Sequence, residues 1–322
     1  MSEAPFPVER ASRPHRRLGY LMAASAASLW GVNGTVSKVI LSSGVSSLRL
    51  TEVRCAGAFV GLAAILAVRA PHRMRVRPRE LPFLALFGIG GLAFVQWLYF
   101  LAIHRVPIGI ALLVQYLAPL LVALWARFVY REPVRRRIWL ALALALGGLA
   151  LIVDLGNGGG ISSAGLAFSL AAAATYMLYL LLAEHAVGDR GAVALLFWGF
   201  GFATLFFSLL APWWSFPGHR VGADVSLLGH LSQWHLPVWL LMTFLICAGT
   251  ILPFFLLVSA LRQLPATRVA LTAMLEPVVA TVVAWAWLGE SLAAPQLAGA
   301  LVVLAAIVLA QTSRRAGPGC ER

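Results

Sequence analysis

Glu276 and Pro277 lie side by side in "LTAMLEPVVATVVAWAWLGE", residues 271–290. The stretch is long and apolar enough to cross a bilayer. At 1.5 Å per residue the carboxylate sits about 12 Å into the predicted span 268–288. Facing lipid, it would cost ~2.5–3.5 kcal/mol on insertion scales. Proline removes a hydrogen bond from a helix interior. Both features are tolerated where a helix faces protein or a water-filled cavity. Three roles remain open for Glu276: a contact to a substrate amine, a proton acceptor, or a hydrogen-bonded group that holds helices together. Arg54 offers the complementary chemistry. It either pairs with an acid on another helix or holds a substrate carboxylate. Glu52, two positions away, does not share its helix face.

Other polar and amphipathic residues fall inside apolar runs: Asn33, Gln96, Trp97, Tyr99, Gln115, Tyr116, Tyr176, Tyr179 and Thr272. They are candidates for lining a cavity; packing and interface anchoring is the plainer alternative. Gln115, Tyr116 and Pro119 share a face by their spacing, and Thr272 and Glu276 do likewise. Pro119, Pro253 and Pro277 are candidate kinks or gating points. Lys38 snorkels from a span end. No set of side chains suggests catalysis. The 7 histidines show no metal-ligand spacing, and "GNGGGISS" (156–163) lacks the Lys-Ser/Thr of a phosphate cradle. Neither an enzyme activity, a metal nor a cofactor is expected.

The elements that position these residues must be membrane helices. The chain is 61% hydrophobic and 11% charged over 322 residues, against about 25% charged in soluble domains. The net charge of +13 reflects arginine between apolar runs, as topology requires, and not nucleic-acid binding. The 3 cysteines, Cys55, Cys247 and Cys320, give no disulfide framework. The basic segment before the first apolar run resembles a signal peptide, but the run continues to Lys38 and reads as a first span.

Ten segments of sufficient length are predicted: 18–40, 48–68, 81–103, 108–129, 138–154, 164–186, 192–211, 237–260, 268–288 and 293–312. The longest connection, 212–236, carries Trp213, Trp214 and Trp234, which suit a headgroup belt. The arginine-rich segments around Arg10–Arg17, Arg69–Arg79 and Arg127–Arg137, together with Arg190, Arg262, Arg268 and the tail, all fall on one side. Arg49, Arg105 and Arg220 fall on the other. The positive-inside rule then makes the chain a multi-pass cell-membrane protein with both termini cytoplasmic.

The chain also repeats itself. Residues 101–132 align without a gap on 259–290: Pro107 meets Pro265, Pro119 meets Pro277 and Glu132 meets Glu290, each 158 positions apart. Two copies of five spans follow, at 18–154 and 164–312, between a basic arm (1–17) and a tail (313–322). Five is odd, so the second copy enters the membrane from the opposite side. Inverted repeats of this kind mark secondary transporters.

"SLWGVNGTVSKV", "LRLTEVRCAGAF", the turn "LAIHRVP" and "AGTILPFFLLVSALRQLPATRVALTAMLEPVVATVVAWAWLGE" together resemble the EamA-type domain of the drug/metabolite transporter superfamily. The resemblance covers nearly all of 18–312. It implies an all-α membrane protein with ten helices in two inverted five-helix halves around a central cavity. It also implies export of a small metabolite, such as an amino acid, by alternating access. An exchanger of nucleotide sugars is the alternative within the superfamily; a membrane enzyme or lipid-handling scaffold is the alternative outside it. The expected partners are a small-molecule substrate, the bilayer and protons, with the oligomeric state left open. The first copy departs from the second in having Ala118 where Glu276 stands, and Pro253 is unusual for the family.

Reporter fusions at Arg17, Arg137 and Arg322 are expected to signal cytoplasm. An external signal from the Arg137 fusion would overturn both the span count and the inverted repeat.

Overall fold

The computed structural model describes residues 16–103, 105–106, 111, 114–131, 134–152, 162–289 and 294–312. Pro107, Glu132, Glu290, the glycine-rich segment 156–161, most of the basic arm and the tail lie outside them. Helix α1 is Arg16–Ser42 and α2 is Ser47–Arg69, which Ser46 caps through Arg49 N–H at 3.3 Å. Helix α3 runs Leu81–Ala85, a π-helical stretch Leu86–Ala93, then Phe94–Ile103. Helices α4 (Ala118–Phe128), α5 (Arg136–Ile152), α6 (Ser163–Arg190) and α7 (Ala192–Leu210) follow. Helix α8 is Val238–Ile246, a π stretch Cys247–Ile251, then Leu252–Leu261. Helix α9 is Ala266–Ala273, Leu275–Val283 and a π stretch Ala284–Leu288. Helix α10 is Ala294–Thr312.

Among the described residues, 6 helical segments are long and apolar enough to span a membrane: Ser47–Arg69, Pro78–Ala102, Ser163–Arg190, Ala192–Leu210, Val238–Leu261 and Ala266–Leu288. Ala118–Phe128 and Leu297–Leu309 are shorter apolar helices. Their outward faces are apolar: Leu21, Val60, Leu205, Leu209 and Leu301 are all exposed. With no hydrophobic drive between helices in lipid, close packing of small residues must hold the bundle. Ala23, Ala26, Ala58, Ala93, Ala183 and Ala203 are buried in the main core, which joins α1, α2, α3, α6, α7, α8 and α9 and takes Val122 from α4. A second core joins α4, α5, α9 and α10. Helix α1 packs on α8 and α9, α2 on α7, α3 on α6, and α5 on α10.

The basic segments that are described meet at one end of the bundle. Arg268 donates to the Tyr20 hydroxyl at 2.8 Å, and Arg190 pairs with Glu80. At the opposite end the chain is nearly, but not wholly, helical. The segment 212–237 contains two short antiparallel strands, β1 (Asp224–Ser226) and β2 (His235–Pro237), with Val225 opposite Leu236. Among the described residues these two strands are a local exception in a chain otherwise helical, as the all-α expectation has it. Strands of three residues show no alternation that a sequence reading could detect. The start of this segment is fastened by Arg49, whose Nη1 donates to the Ala211 carbonyl (2.6 Å) and the Glu52 carboxylate (2.7 Å). Its Nη2 donates to the Pro212 carbonyl (3.1 Å) and to Ser215 Oγ. Arg220 donates to the Ser43 carbonyl at 3.2 Å, and Trp287 Nε1 to the Leu227 carbonyl at 2.8 Å. Trp213, Trp214 and Trp234 are exposed.

Gly88 sets the closest approach of α3 to α7: a Cβ there would stand 2.5 Å from the Gly199 carbonyl oxygen. Gly34 has nothing within 4 Å of the same position. Gly88→Val is therefore expected to destabilise the purified protein by about 1–3 kcal/mol, read as a lowered melting temperature. Gly34→Ala should leave melting unchanged. Equal melting of the two variants would contradict the packing.

Candidate functional site

The site begins where α8 loosens. In an α-helix, residue 253 would donate to the carbonyl of Gly249. Pro253 has no N–H to give, and the turn before it is π-helical. Arg54 of α2 docks on this turn. Its Nε donates to Thr250 Oγ1 at 3.1 Å, and its Nη2 makes a long 3.5 Å contact with the Gly249 carbonyl. Thr250 passes the chain on by donating to the Leu245 carbonyl at 2.9 Å. Asn33 of α1 abuts the same turn: a Cβ on Gly249 would collide with its Oδ1. Asn33 Oδ1 is buried without a hydrogen-bond partner. Pro253 thus stands just after the π turn on which a guanidinium docks.

The π stretch of α3 is served differently. Gln96 donates its amide to the Leu92 carbonyl at 3.0 Å and touches Cys55 Sγ at 3.9 Å. Cys55 is buried and free, and Cys247 is free and exposed.

The second feature is a pair of broken helices. Helix α9 breaks at Met274 and restarts at Leu275, which puts Glu276 in the first turn of the new segment. Across the repeat the chain turns at Tyr116 and Leu117, and α4 starts at Ala118. Pro277 and Pro119 follow each restart, where proline's missing N–H has no intrahelical acceptor to lose. A helix N-terminus presents free N–H groups and a positive dipole end, which favour a nearby carboxylate. Glu276 accepts a hydrogen bond from the Tyr116 hydroxyl. Tyr99, Tyr176 and Arg54 also lie within electrostatic range of it. Arg54 and Glu276 attract each other, yet no ion pair joins them. Both side chains are partly exposed. A cation and an anion therefore lie within electrostatic reach of each other without pairing, and three tyrosines lie in range of the anion.

The remaining sequence candidates are placed variously. Tyr179 is buried and stacks on Tyr176 (centroids 6.2 Å apart) and Phe87 (5.4 Å), with its hydroxyl unpartnered. It supports the tyrosine ring from behind. Gln115 is partly buried with Oε1 unpartnered. Thr272 is buried and donates to the Arg268 carbonyl of its own helix at 2.8 Å, so its hydroxyl is spent locally. Trp97 packs edge-on against Phe206 at 5.6 Å and beside Phe94 at 5.8 Å. It joins an aromatic cluster of α3 and α7 and is not among the groups around Glu276. Glu52 is buried on the far side of α2 from Arg54, held by Arg49. Thr250 and Gly249 were not singled out from sequence. Their signal was Pro253, which marks the turn it cannot bond.

The profile of the EamA-like transporter family matches residues 17–154 and again 163–312. The chain is 29% identical over 265 residues to "Threonine/homoserine exporter RhtA" of Escherichia coli (strain K12), covering 82% of this chain and 79% of that one. The same figures hold for RhtA of Salmonella typhimurium (strain SL1344). It is 24% identical over 304 residues to "Uncharacterized inner membrane transporter YicL" of Salmonella typhimurium (strain LT2), covering 93% and 97%. A solved crystal structure superposes with TM-score 0.72 at 17% identity, over 91% of this chain and 96% of the other, a likeness of fold.

Pro253→Ala would supply an N–H that competes with Arg54 for the Gly249 carbonyl. An interior proline costs a helix ~3 kcal/mol, so the variant's melting temperature in detergent is expected to rise. A fall would show that Arg54 and Asn33, and not the proline, hold the π turn open.

Proposed function

The chain belongs to the EamA-like transporter family, and from this premise we propose that it is a secondary transporter that exports a small zwitterionic amino acid by alternating access. The observation that carries the proposal is the pair Arg54 and Glu276, opposite charges that attract across the site without touching. An α-amino acid bears a carboxylate and an ammonium of matching sign. Arg54 spends Nε and Nη2 on α8, and its Nη1 donors serve the substrate carboxylate. Glu276 and Tyr116 receive the ammonium. Tyr99 and Tyr176 are the partners for a side-chain hydroxyl. The naming of a relative as a threonine/homoserine exporter supports a hydroxylated substrate.

The same reading includes ten spans in two inverted halves, 18–154 and 164–312, with both termini in the cytoplasm. Three features support it. The π stretches of α3 and α8 end at Ala93 and Ile251, positions 158 apart. The helix breaks at Tyr116 and Met274 stand at the same offset. The packing of α3 on α6 is the counterpart of α1 on α8 when the halves are exchanged. Two halves of opposite orientation adopt each other's conformation in turn, which opens the shared site first to one side and then to the other. Helices already broken at mid-depth are natural pivots.

Efflux of labelled threonine and homoserine, measured in inside-out vesicles against amines and nucleotide sugars, tests the proposal. Glu276→Gln is expected to weaken exchange and net flux together, by about ten- to a hundredfold, as loss of a charge-assisted hydrogen bond would. Arg54→Lys should not restore function, because an ammonium lacks the forked geometry. If exchange persists and only the dependence on a pH gradient disappears, Glu276 carries a coupling proton instead. Normal transport by Glu276→Gln at wild-type expression would remove it from the site.

A further inference from the structure

A cavity of about 290 Å³ opens at the arginine-rich end, between the last turns of α2 and α8 and the first turn of α7. Arg69, Arg73 and Arg262 line it, with Ser259. None of the three guanidinium groups pairs with a carboxylate among the described residues, and the neighbouring Glu80 is taken by Arg190. Gly191 supplies the floor. Its φ is +73°, and a Cβ there would stand 3.2 Å from Arg73 Nη1, so the backbone lies directly beneath that guanidinium. No side chain caps α7, and its first residues line the same cavity. The opening amides of a helix have no intrahelical acceptor.

Topology alone asks for arginine near this end of the spans. It does not ask three of them to converge on one hollow, where like charges repel. The hollow is therefore rich in donors and poor in acceptors, and it is shaped for an anion with several oxygens. Its remaining wall is apolar, with Phe255 and the outward-facing Ile65. We propose that this cavity binds the phosphate of an anionic phospholipid, with the headgroup between Arg69, Arg73 and Arg262 and an acyl chain along Ile65. The phosphate chemistry would suit free inorganic phosphate as well, but only a lipid uses the apolar wall. The site is separate from the Arg54–Glu276 space and does not depend on the proposed substrate.

The test uses the full chain, delipidated in mild detergent and titrated with phosphatidylglycerol, phosphatidylcholine or inorganic phosphate. Bound lipid is counted by native mass spectrometry and checked by the shift in melting temperature. Wild type is expected to retain phosphatidylglycerol over phosphatidylcholine. Affinity should fall about fivefold for each arginine removed, singly in Arg73→Gln and jointly in Arg69→Gln with Arg262→Gln. The control pair Arg75→Gln with Arg79→Gln, at the same end but outside the cavity, should bind as wild type. Arg73 is exposed, so its single variant keeps the test valid if the double variant does not fold. Equal loss in the control pair would reduce the effect to general surface charge and overturn the site. So would undiminished binding by Arg73→Gln. Displacement of the lipid by inorganic phosphate at similar concentration would overturn the lipid as occupant.

Discussion

A hydrocarbon interior holds no water, so any carbonyl that a helix releases must find a donor within the protein. The arrangement around Pro253 follows from that constraint. The proline leaves its turn short of one N–H, the turn is π-helical, and Arg54 crosses from α2 to bond Thr250 and meet the Gly249 carbonyl. Gly249 has to be a glycine because Asn33 of α1 occupies the space its Cβ would need. Three helices are thus pinned at one loosened turn, and the pin is a positive charge. The opposite charge is located by the same reasoning. Helix α9 breaks at Met274, and Glu276 sits where the new segment offers free amides. The polar site is therefore a product of backbone irregularity, and its charges are lodged where broken helices can host them.

The two copies share their mechanics and divide their chemistry. Each has a π stretch in its third helix and a break before a proline in its fourth. Only the second copy carries a carboxylate at that break, since position 118 is alanine. The first copy contributes Tyr116 at its own break, and that hydroxyl reaches Glu276. The acid of one half is held by the phenol of the other. A change at either break is felt in both.

Much of this was readable in the residues. Arg54, Glu276 and the prolines stand out because charge and imino acids are rare at such depth, and the family follows from the order of two copies. The tyrosines around Glu276 were named individually, but their convergence came only with tertiary structure. The π stretches were not readable. "LFGIGGLA" and "CAGTI" look like ordinary apolar helix with small residues, and the extra residue per turn leaves no periodic mark over so short a length. For Trp97 and Thr272 the sequence left cavity lining and packing both open, for a related reason. A sequence shows that a residue is amphipathic. It does not show whether an aromatic cluster or a carbonyl one turn back has already claimed it.

The segment 212–237 at the far end has a consequence of another kind. Arg220 ties it to α1, Arg49 to α2 and Trp287 to α9. Those three helices cannot shift against one another there without straining the segment between them. Its amides, such as that of Leu227 bonded to the Trp234 carbonyl, thereby act as a strain gauge. Their exchange with deuterated solvent reports the spacing of buried helices from a segment that water reaches.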